Sequence, residues 1–321
     1  MSVFLFVLIN NILPIFVLIG LGFVLSKRFA FDIFTLSKLN FYLFMPAFIF
    51  VNLYTTALDW SMFKILIFCA VYLVVNDILA RVLGKVRGHD VSMTNAVKNA
   101  ITFSNTGNIG LSLIILVFST GSNVIGGDTP FLMTAQTTLI IALVFNNITT
   151  NTLGFFNAGR ASMSLKGSLK KILSMPSIYA IPLAFILKAM PFDVSTFFIW
   201  TALIYMKNSL VATALITLGI QLSRTKIQFG DSDVMLTVLM RLIAGPVIGA
   251  ALIWAFGFTG VVAQTLLIIS ALPPAVNTAL IAVELENQET FATQVVIMAT
   301  ILSAVTLTFT IYWGQLFFTC V

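Results

Sequence analysis

Apolar residues occupy most of this chain in ten long runs that are separated by short polar stretches. The runs cover roughly residues 3–25, 33–55, 61–83, 93–120, 130–156, 172–190, 197–221, 233–257, 261–283 and 290–318. Most reach the ~20 residues that an α-helix needs to cross the hydrocarbon core of a bilayer. The pattern predicts an all-α integral membrane protein with about ten transmembrane helices.

The polar stretch at 157–174 divides these runs into two sets of five. We expect a cytoplasmic linker there, between a first five-helix repeat at 1–156 and a second at 175–321. Because five is an odd number, the second repeat must enter the membrane in the inverted orientation. Lys38 and Lys207 are 169 positions apart, as are Asn108 and Asn277, which favours a repeat.

Basic residues indicate which way the chain crosses the membrane. They concentrate in the loops after runs one, three, five and seven, and the positive-inside rule assigns such loops to the cytoplasm. Both termini are therefore expected outside the cytoplasm, in a multi-pass protein of the cell membrane. The loops contain Lys27, Arg28, Lys85, Arg87, Arg160, Lys166, Lys170, Lys171, Arg224 and Lys226.

Runs four and nine carry polar and helix-breaking residues near their centres. Proline removes a backbone donor and clashes with the preceding turn, while glycine and asparagine tolerate unwound backbone. Interrupted helices at matching positions of two repeats are the best sequence indicator of a transporter's binding site. Their free N–H groups and dipoles suit an anion. The predicted substrate-binding residues are Asn105, Thr106, Gly107, Asn108, Pro273, Pro274, Asn277 and Thr278.

Composition excludes several other classes of protein. Of 321 residues, 59% are hydrophobic and 9% charged, so lipid must cover the outside. The net charge of +6 comes from loop residues, which argues against a nucleic-acid partner. The sequence has no nucleophile–base motif, metal spacing or nucleotide-binding glycine pattern. We therefore expect neither an enzyme nor a bound metal or cofactor.

Charges inside apolar runs are costly and are therefore candidates for function. Asp77 has Arg81 one turn later, so it either forms a local ion pair or takes part in proton coupling. Lys207 lies mid-run and is a candidate for anion contact or for structural pairing. Arg241 is a second candidate charge contact, or it pairs with Asp231 or Asp233.

Five short segments resemble the auxin efflux carrier family, which includes plant PIN carriers and bacterial malate and malonate permeases. They are Ile12–Phe23, Leu43–Ala47, Asn105–Gly110, Arg241–Pro246 and Leu272–Thr278. The resemblance implies ten helices in two inverted repeats, with broken helices crossing at the substrate site and an elevator-like movement of a transport bundle against a scaffold. One departure is that Leu111 and Ser112 follow Gly110, where family members often have proline.

We therefore expect a secondary transporter of a small organic anion, most directly a dicarboxylate such as malate or malonate. Proton coupling, sodium coupling, exchange and uniport all remain open. The expected partners are the anion, the bilayer and a second copy in a homodimer. The alternatives are a sodium-coupled symporter of a larger amphipathic acid, similar to the bile-acid symporters, and a non-transporting ligand sensor.

Overall fold

The computed structural model describes residues 13–55, 63–119, 123–162, 176–224 and 230–319, and within these ranges the fold is all-helical. The helices are α1 Leu13–Arg28, α2 Ile33–Thr55, α3 Phe63–Arg87, α4 Val91–Thr102, α5 Leu111–Ser119, α6 Leu132–Thr149 with its continuation Phe155–Ser162, α7 Pro176–Lys188, α8 Phe198–Arg224, α9 Ser232–Phe256, α10 Gly260–Ala271, α11 Val276–Glu284 and α12 Glu289–Phe317.

Six of these helices, α2, α3, α6, α8, α9 and α12, are long and apolar enough to cross a membrane. The protein is therefore a multi-pass membrane protein, as its apolar runs predict. Where the residues are described, the helix bounds follow the runs closely, except that α6 continues to Ser162, six residues beyond the predicted end. The predicted starts of runs one and six, residues 3–12 and 172–175, lie outside the described residues. The rest of the predicted linker, residues 163–174, lies outside the described residues.

Local sequence explains where several helices begin and end. Asp32, Asp90 and Asp231 precede α2, α4 and α9, and each carboxylate accepts N–H groups of the first helical turn. Hydrogen bonding from the Thr35 hydroxyl, and from the backbone N–H groups of Phe34 and Thr35, lowers the pKa of Asp32 below its usual value. Gly257 ends α9 at a positive φ of 64°, which glycine adopts without strain.

The helices pack into two groups. In the four-helix group, α8 packs along α1 and α2, and α7 packs against α2. In the crossover group, the remaining helices pack mainly on one another, with α10 at the centre between α6, α9 and α12. The two groups meet where α8 and α2 contact α11 and where α2 contacts α6. Any site between the groups lies along this seam.

Two glycines bring α1 and α8 into backbone contact. A Cβ atom on Gly22 would lie 2.1 Å from the Ile216 carbonyl oxygen, and one on Gly219 would lie 2.0 Å from the Ile19 carbonyl oxygen. Further along, the hydroxyls of Ser26 and Ser223 are hydrogen-bonded. From the contact of Gly219 with Ile19 to the contact of Ser223 with Ser26, both helices advance along the chain, so α1 and α8 run parallel. Close approach through small residues is typical of membrane helix packing.

Side chains from several of the basic loops meet at one end of the molecule. Arg87 forms an ion pair of 2.8 Å with Asp233, and His89 Nε2 lies 3.1 Å from the same carboxylate. The His89 side chain is largely buried by this contact, whereas its loop position suggests a solvated residue. Lys27 donates to the Ser223 carbonyl at 3.3 Å, which brings together the loops that follow α1 and α8.

Candidate substrate site at the helix crossing

Two interrupted helices cross near the middle of the molecule. After α4 the backbone is extended at residues 103–105 and then forms a π-helical turn, Thr106–Gly110, that leads into α5. The α10–α11 pair is interrupted at residues 272–275. The interruptions lie where the sequence places its asparagines, glycines and prolines.

The two extended segments pair with each other through their backbones. Asn105 N–H donates to the Pro273 carbonyl at 2.9 Å, and Ala275 N–H donates to the Phe103 carbonyl at 3.0 Å. Ser104 therefore lies opposite Pro274 in a short antiparallel bridge. Pro274 lacks an N–H, and this position of the bridge requires none from it. Backbone groups that a broken helix leaves open are satisfied by the other broken helix.

A second pair of contacts has the same reciprocal form. The Tyr72 hydroxyl donates to the Ser270 carbonyl at 3.0 Å, and Arg241 Nη1 donates to the Ile101 carbonyl at 2.8 Å. Tyr72 and Arg241 are 169 positions apart, and so are Ile101 and Ser270. Each of the two side chains thus holds the last turn of the opposite first half-helix. Such reciprocity is characteristic of a two-fold relationship.

Arg241 holds the ends of both first half-helices. Its side chain is fully buried, and its Nε donates to the Leu272 carbonyl at 2.8 Å in addition to the bond from Nη1 to Ile101. Cations are stabilised at helix C-termini, where carbonyl groups and the dipole concentrate negative charge. The expected pairing with Asp231 or Asp233 is wrong: Asp233 pairs with Arg87 and His89, and Asp231 caps α9.

Asn146 on α6 fixes the first extended segment. Its side-chain amide donates to the Ser104 carbonyl at 2.8 Å and to the Thr106 hydroxyl at 3.3 Å, and its oxygen accepts the Ser104 N–H at 3.3 Å. One side chain therefore satisfies both backbone groups of Ser104. Sequence reasoning missed Asn146, although the pair Asn146–Asn147 within an apolar run is a detectable signal.

A polar cavity of about 40 Å³ lies beside the crossing, on the seam between the two helix groups. This volume holds only about three water molecules. The four-helix group contributes apolar side chains, and the crossover group contributes mainly amides and hydroxyls. The lining residues are Phe48, Ser104, Asn105, Thr106, Gly107, Asn146, Asn147, Thr150, Leu210, Ala214, Ala275, Val276 and Asn277.

Four of the eight predicted substrate-binding residues, Asn105, Thr106, Gly107 and Asn277, line this cavity. Thr278 is buried, and its hydroxyl donates to the Ala275 carbonyl at 2.7 Å. The two prolines are buried in the bridge. The side chain of Asn108 lies outside the described part of the structure.

The two remaining charge candidates lie in different surroundings. Lys207 is half-buried on α8, one turn from the cavity-lining Leu210. Asp77 on α3 forms ion pairs with Arg81 at 2.5 Å and with Lys98 at 2.8 Å. The local Asp77–Arg81 pair is therefore present, and Lys98 joins it from α4.

Lys98 was missed by sequence reasoning and is only 4% exposed. Its ammonium also donates to Asn157 at 2.9 Å, and Asn157 in turn donates to Asn99 at 3.0 Å. The Asn99 amide reaches the Gly154 carbonyl at 2.9 Å. This network ties α3, α4 and α6 together below the crossing. A lysine inside run four, one turn from Thr102, was a signal of an intramembrane charge.

A much larger cavity of about 650 Å³ lies between α9 and α12 but does not suit an organic anion. Its walls are almost entirely apolar and include Val247, Trp254, Phe309 and Trp313. Trp254 is 79% exposed, so this cavity opens on the outer face of the helices, where a membrane protein contacts lipid. The described residues contain no group of three or more His, Cys, Asp or Glu able to hold a metal ion.

Comparison with known proteins agrees with this architecture. The chain matches the family described as "Membrane transport protein" twice, at residues 7–166 and 160–311. It is 23% identical over 308 residues to an "Uncharacterized transporter" of Methanothermobacter thermautotrophicus, covering 93% of this chain and 95% of that protein. Both names describe a transporter and not an enzyme. The chain belongs to the Membrane transport protein family, which is the auxin efflux carrier family that its motifs resemble.

Proposed function

We propose that this membrane transporter is a secondary carrier of a small organic anion, with dicarboxylates such as malate and malonate as first substrates. It works by alternating access around the crossed, interrupted helices. The observation that carries the proposal is the polar cavity at the crossing, which lies on the seam between the two helix groups.

The proposed architecture is ten transmembrane helices in two inverted five-helix repeats, residues 1–156 and 175–321, joined by a cytoplasmic linker at 157–174. Two observations support it. The bridge and the pair of contacts from Tyr72 and Arg241 are reciprocal between the halves. The family matches twice, once in each half.

Backbone geometry makes the cavity suitable for a carboxylate. Thr106 and Gly107 open the π-helical turn before α5, while Val276 and Asn277 open α11, and all four line the cavity. The Thr106 N–H already donates to the Ser104 carbonyl at 2.9 Å, but the first N–H groups of a helix otherwise have no intrahelical acceptor, and the dipole adds positive potential there. Amides of Asn105 and Asn277 supply further donors. Carboxylates would be held without a metal.

Transport requires the seam to open, because malate has nine non-hydrogen atoms and the cavity holds only about three waters. We propose that the crossover group moves against the four-helix group, as a transport bundle moves against a scaffold. The tight α1–α8 contact keeps the four-helix group intact during this movement.

Orientation, coupling and assembly are part of the same proposal. The basic loops face the cytoplasm of a cell membrane, both termini face the other side, and two copies form a homodimer. Protons or sodium ions couple to transport, with Asp77, paired to Lys98 and Arg81, as the proton-linked group. Imposed gradients test this coupling directly.

The test is uptake of radiolabelled malate into proteoliposomes that contain the purified protein, with and without imposed proton and sodium gradients. We expect saturable uptake that excess unlabelled malate suppresses. Folded protein that takes up neither malate nor malonate would overturn the dicarboxylate proposal. Uptake of an amphipathic acid that strictly requires sodium would favour the bile-acid-like alternative, and binding without release would favour a sensor.

Asn277→Ala tests the site itself. It removes a cavity amide from the first turn of α11, and we expect malate uptake to fall at least about tenfold, since hydrogen bonds to a charged group contribute roughly 1.5–3 kcal/mol. The matched control is Asn208→Ala, which removes an exposed amide from α8, outside the cavity lining. Uptake by Asn277→Ala equal to that of the control would contradict the crossing as the binding site.

A further inference from the structure

Lys207 is a half-buried cation in the middle of α8, a 27-residue helix. Among the residues that the structure describes, no carboxylate lies within ion-pair distance of its ammonium, whereas Lys98, Arg81 and Arg87 each pair with an aspartate. A cation within a membrane span is costly unless it meets an opposite charge. A substrate anion is a candidate for that opposite charge.

The helical repeat directs Lys207 toward the crossing. Leu210 and Ala214 lie three and seven residues further along α8 and both line the polar cavity. Residues at these spacings share one helix face, so Lys207 lies on the same face of α8 as Leu210 and Ala214. The rise of α8 puts its Cα about 4.5 Å above that of Leu210 and about 10 Å above that of Ala214. A lysine stem of four methylenes is long enough to span the first of these distances when it turns back from the N-terminal direction in which helical side chains lean.

A charge count shows what the cavity lacks. None of its lining residues is charged. A helix N-terminus is equivalent to roughly half an elementary positive charge, so the two N-termini at the crossing supply about one. That matches one carboxylate. The second carboxylate of a dianion needs a further positive charge at the rim of the cavity, and Lys207 is the nearest cation along α8.

We propose that Lys207 is a specificity-determining residue: its ammonium binds the second carboxylate of the substrate while the crossing holds the first. The inference rests on the proposed carrier function and deepens it. Lys207 selects dicarboxylates over monocarboxylates of similar size, because only a dianion neutralises both the crossing and the lysine.

The alternative for Lys207 is that its long stem carries the ammonium away from the cavity, to the membrane surface. In that case the charge would not distinguish one carboxylate from two. Lys38 provides the matched control, because it is the lysine 169 positions earlier, exposed on α2, with its ammonium 5.8 Å from the ring centroid of Phe34.

The experiment measures how malonate and propionate stabilise the purified protein against heating, as apparent affinities from the ligand-dependent shift in Tm. The wild type and Lys38→Met are expected to bind malonate at least about tenfold more tightly than propionate, the size of one charge-assisted hydrogen bond. In Lys207→Met this preference falls to about twofold or less through weaker malonate binding, with propionate unchanged. Lys207→Arg keeps the preference.

The outcomes separate the inference from the proposed function. Stabilisation of the wild type by neither anion overturns both. Equal stabilisation by malonate and propionate keeps a carboxylate carrier but overturns the role of Lys207. A full malonate preference in Lys207→Met, or an equal loss of affinity for both anions, overturns that role as well. The same two variants are tested in malate uptake. We expect Lys207→Met to lose uptake and Lys207→Arg to retain it.

Discussion

The two interrupted helices reach the same backbone arrangement by different means. Pro273 and Pro274 break the second helix from within, because neither residue can donate to a helical hydrogen bond. The first helix has no proline at its break. There the Asn146 side-chain amide hydrogen-bonds to both the N–H and the C=O of Ser104. The helix then resumes through a π-helical turn, in which Gly110 N–H donates to the Asn105 carbonyl at 3.0 Å.

The difference shows that a helix can be interrupted either by its own residues or by hydrogen bonds from a neighbouring helix. The two consecutive prolines disfavour a continuous helix through their own covalent structure, without help from a neighbouring helix. A break held by Asn146 depends on α6 being in place, so the first segment is the more sensitive of the two to changes elsewhere in the fold. Gly110 is followed by Leu111 and Ser112, so no proline reinforces the first break and Asn146 is the residue that holds it.

Replacing Arg241 is expected to have the largest effect, because this side chain holds both helices. Arg241→Met orphans the Ile101 and Leu272 carbonyls, each at about 1–3 kcal/mol, while relief from burying a charge offsets part of that loss. We expect a large drop in Tm and loss of malate uptake. Unfolding is measured by maleimide labelling of Cys69, which is buried in the fold, in a Cys320→Ser background.

Arg241→Lys provides the matched comparison. It keeps a positive charge at the helix ends but cannot reach two carbonyls with a planar, five-donor group. Intermediate stability is expected. An Arg241→Met protein as stable as the wild type would show that the two carbonyls are satisfied without the guanidinium.

Asn146→Leu is expected to have the next largest effect, confined to the first helix. Leucine fills a similar volume but leaves the Ser104 N–H without a partner, at about 1–3 kcal/mol, whereas the Ser104 carbonyl keeps its bond from the Thr106 N–H at 2.9 Å. Tm and malate uptake should both fall, while Asn208→Leu on the exposed face of α8 should leave them near wild type. Unchanged uptake in Asn146→Leu would show that the first break is stable without α6.

The double variant Pro273→Ala/Pro274→Ala is expected to change Tm least. The second segment keeps its two backbone hydrogen bonds to the first and its contact with Arg241, so the cost to stability is mainly the greater freedom of the unfolded chain, up to about 1 kcal/mol for each proline. Malate uptake should fall severalfold, because part of the population closes the break. A greater loss of stability here than in Asn146→Leu would reverse the comparison between the two helices.

The sequence contained most of the fold but less of the site. Apolar length predicts the helices, since a span needs a fixed number of apolar residues, and the Pro273–Pro274 pair marks one break unambiguously. Capping aspartates at 32, 90 and 231 fix helix starts within a residue or two. These signals are local, so they can be read without knowing how the chain folds.

The partners across the fold could not be predicted in the same way. For Arg241 one predicted alternative was pairing with acids eight and ten residues away, whereas its actual acceptors are carbonyls 31 and 140 positions away. Lys98 and Asn146 act on groups 21 and 42 positions distant. The burial of a polar group makes such a partner necessary, but only the tertiary arrangement decides which residue provides it.

The backbone contact between α1 and α8 has a genetic consequence. Every missense change at a glycine codon adds at least one heavy atom, and at positions 22 and 219 that atom would meet a carbonyl oxygen only about 2 Å away. Gly20, two residues earlier in α1, has open space around it. Two codons of α1 that lie only two positions apart therefore differ in the variation they tolerate: position 20 can vary, while position 22, like position 219 of α8, is held to glycine for as long as the two helices touch.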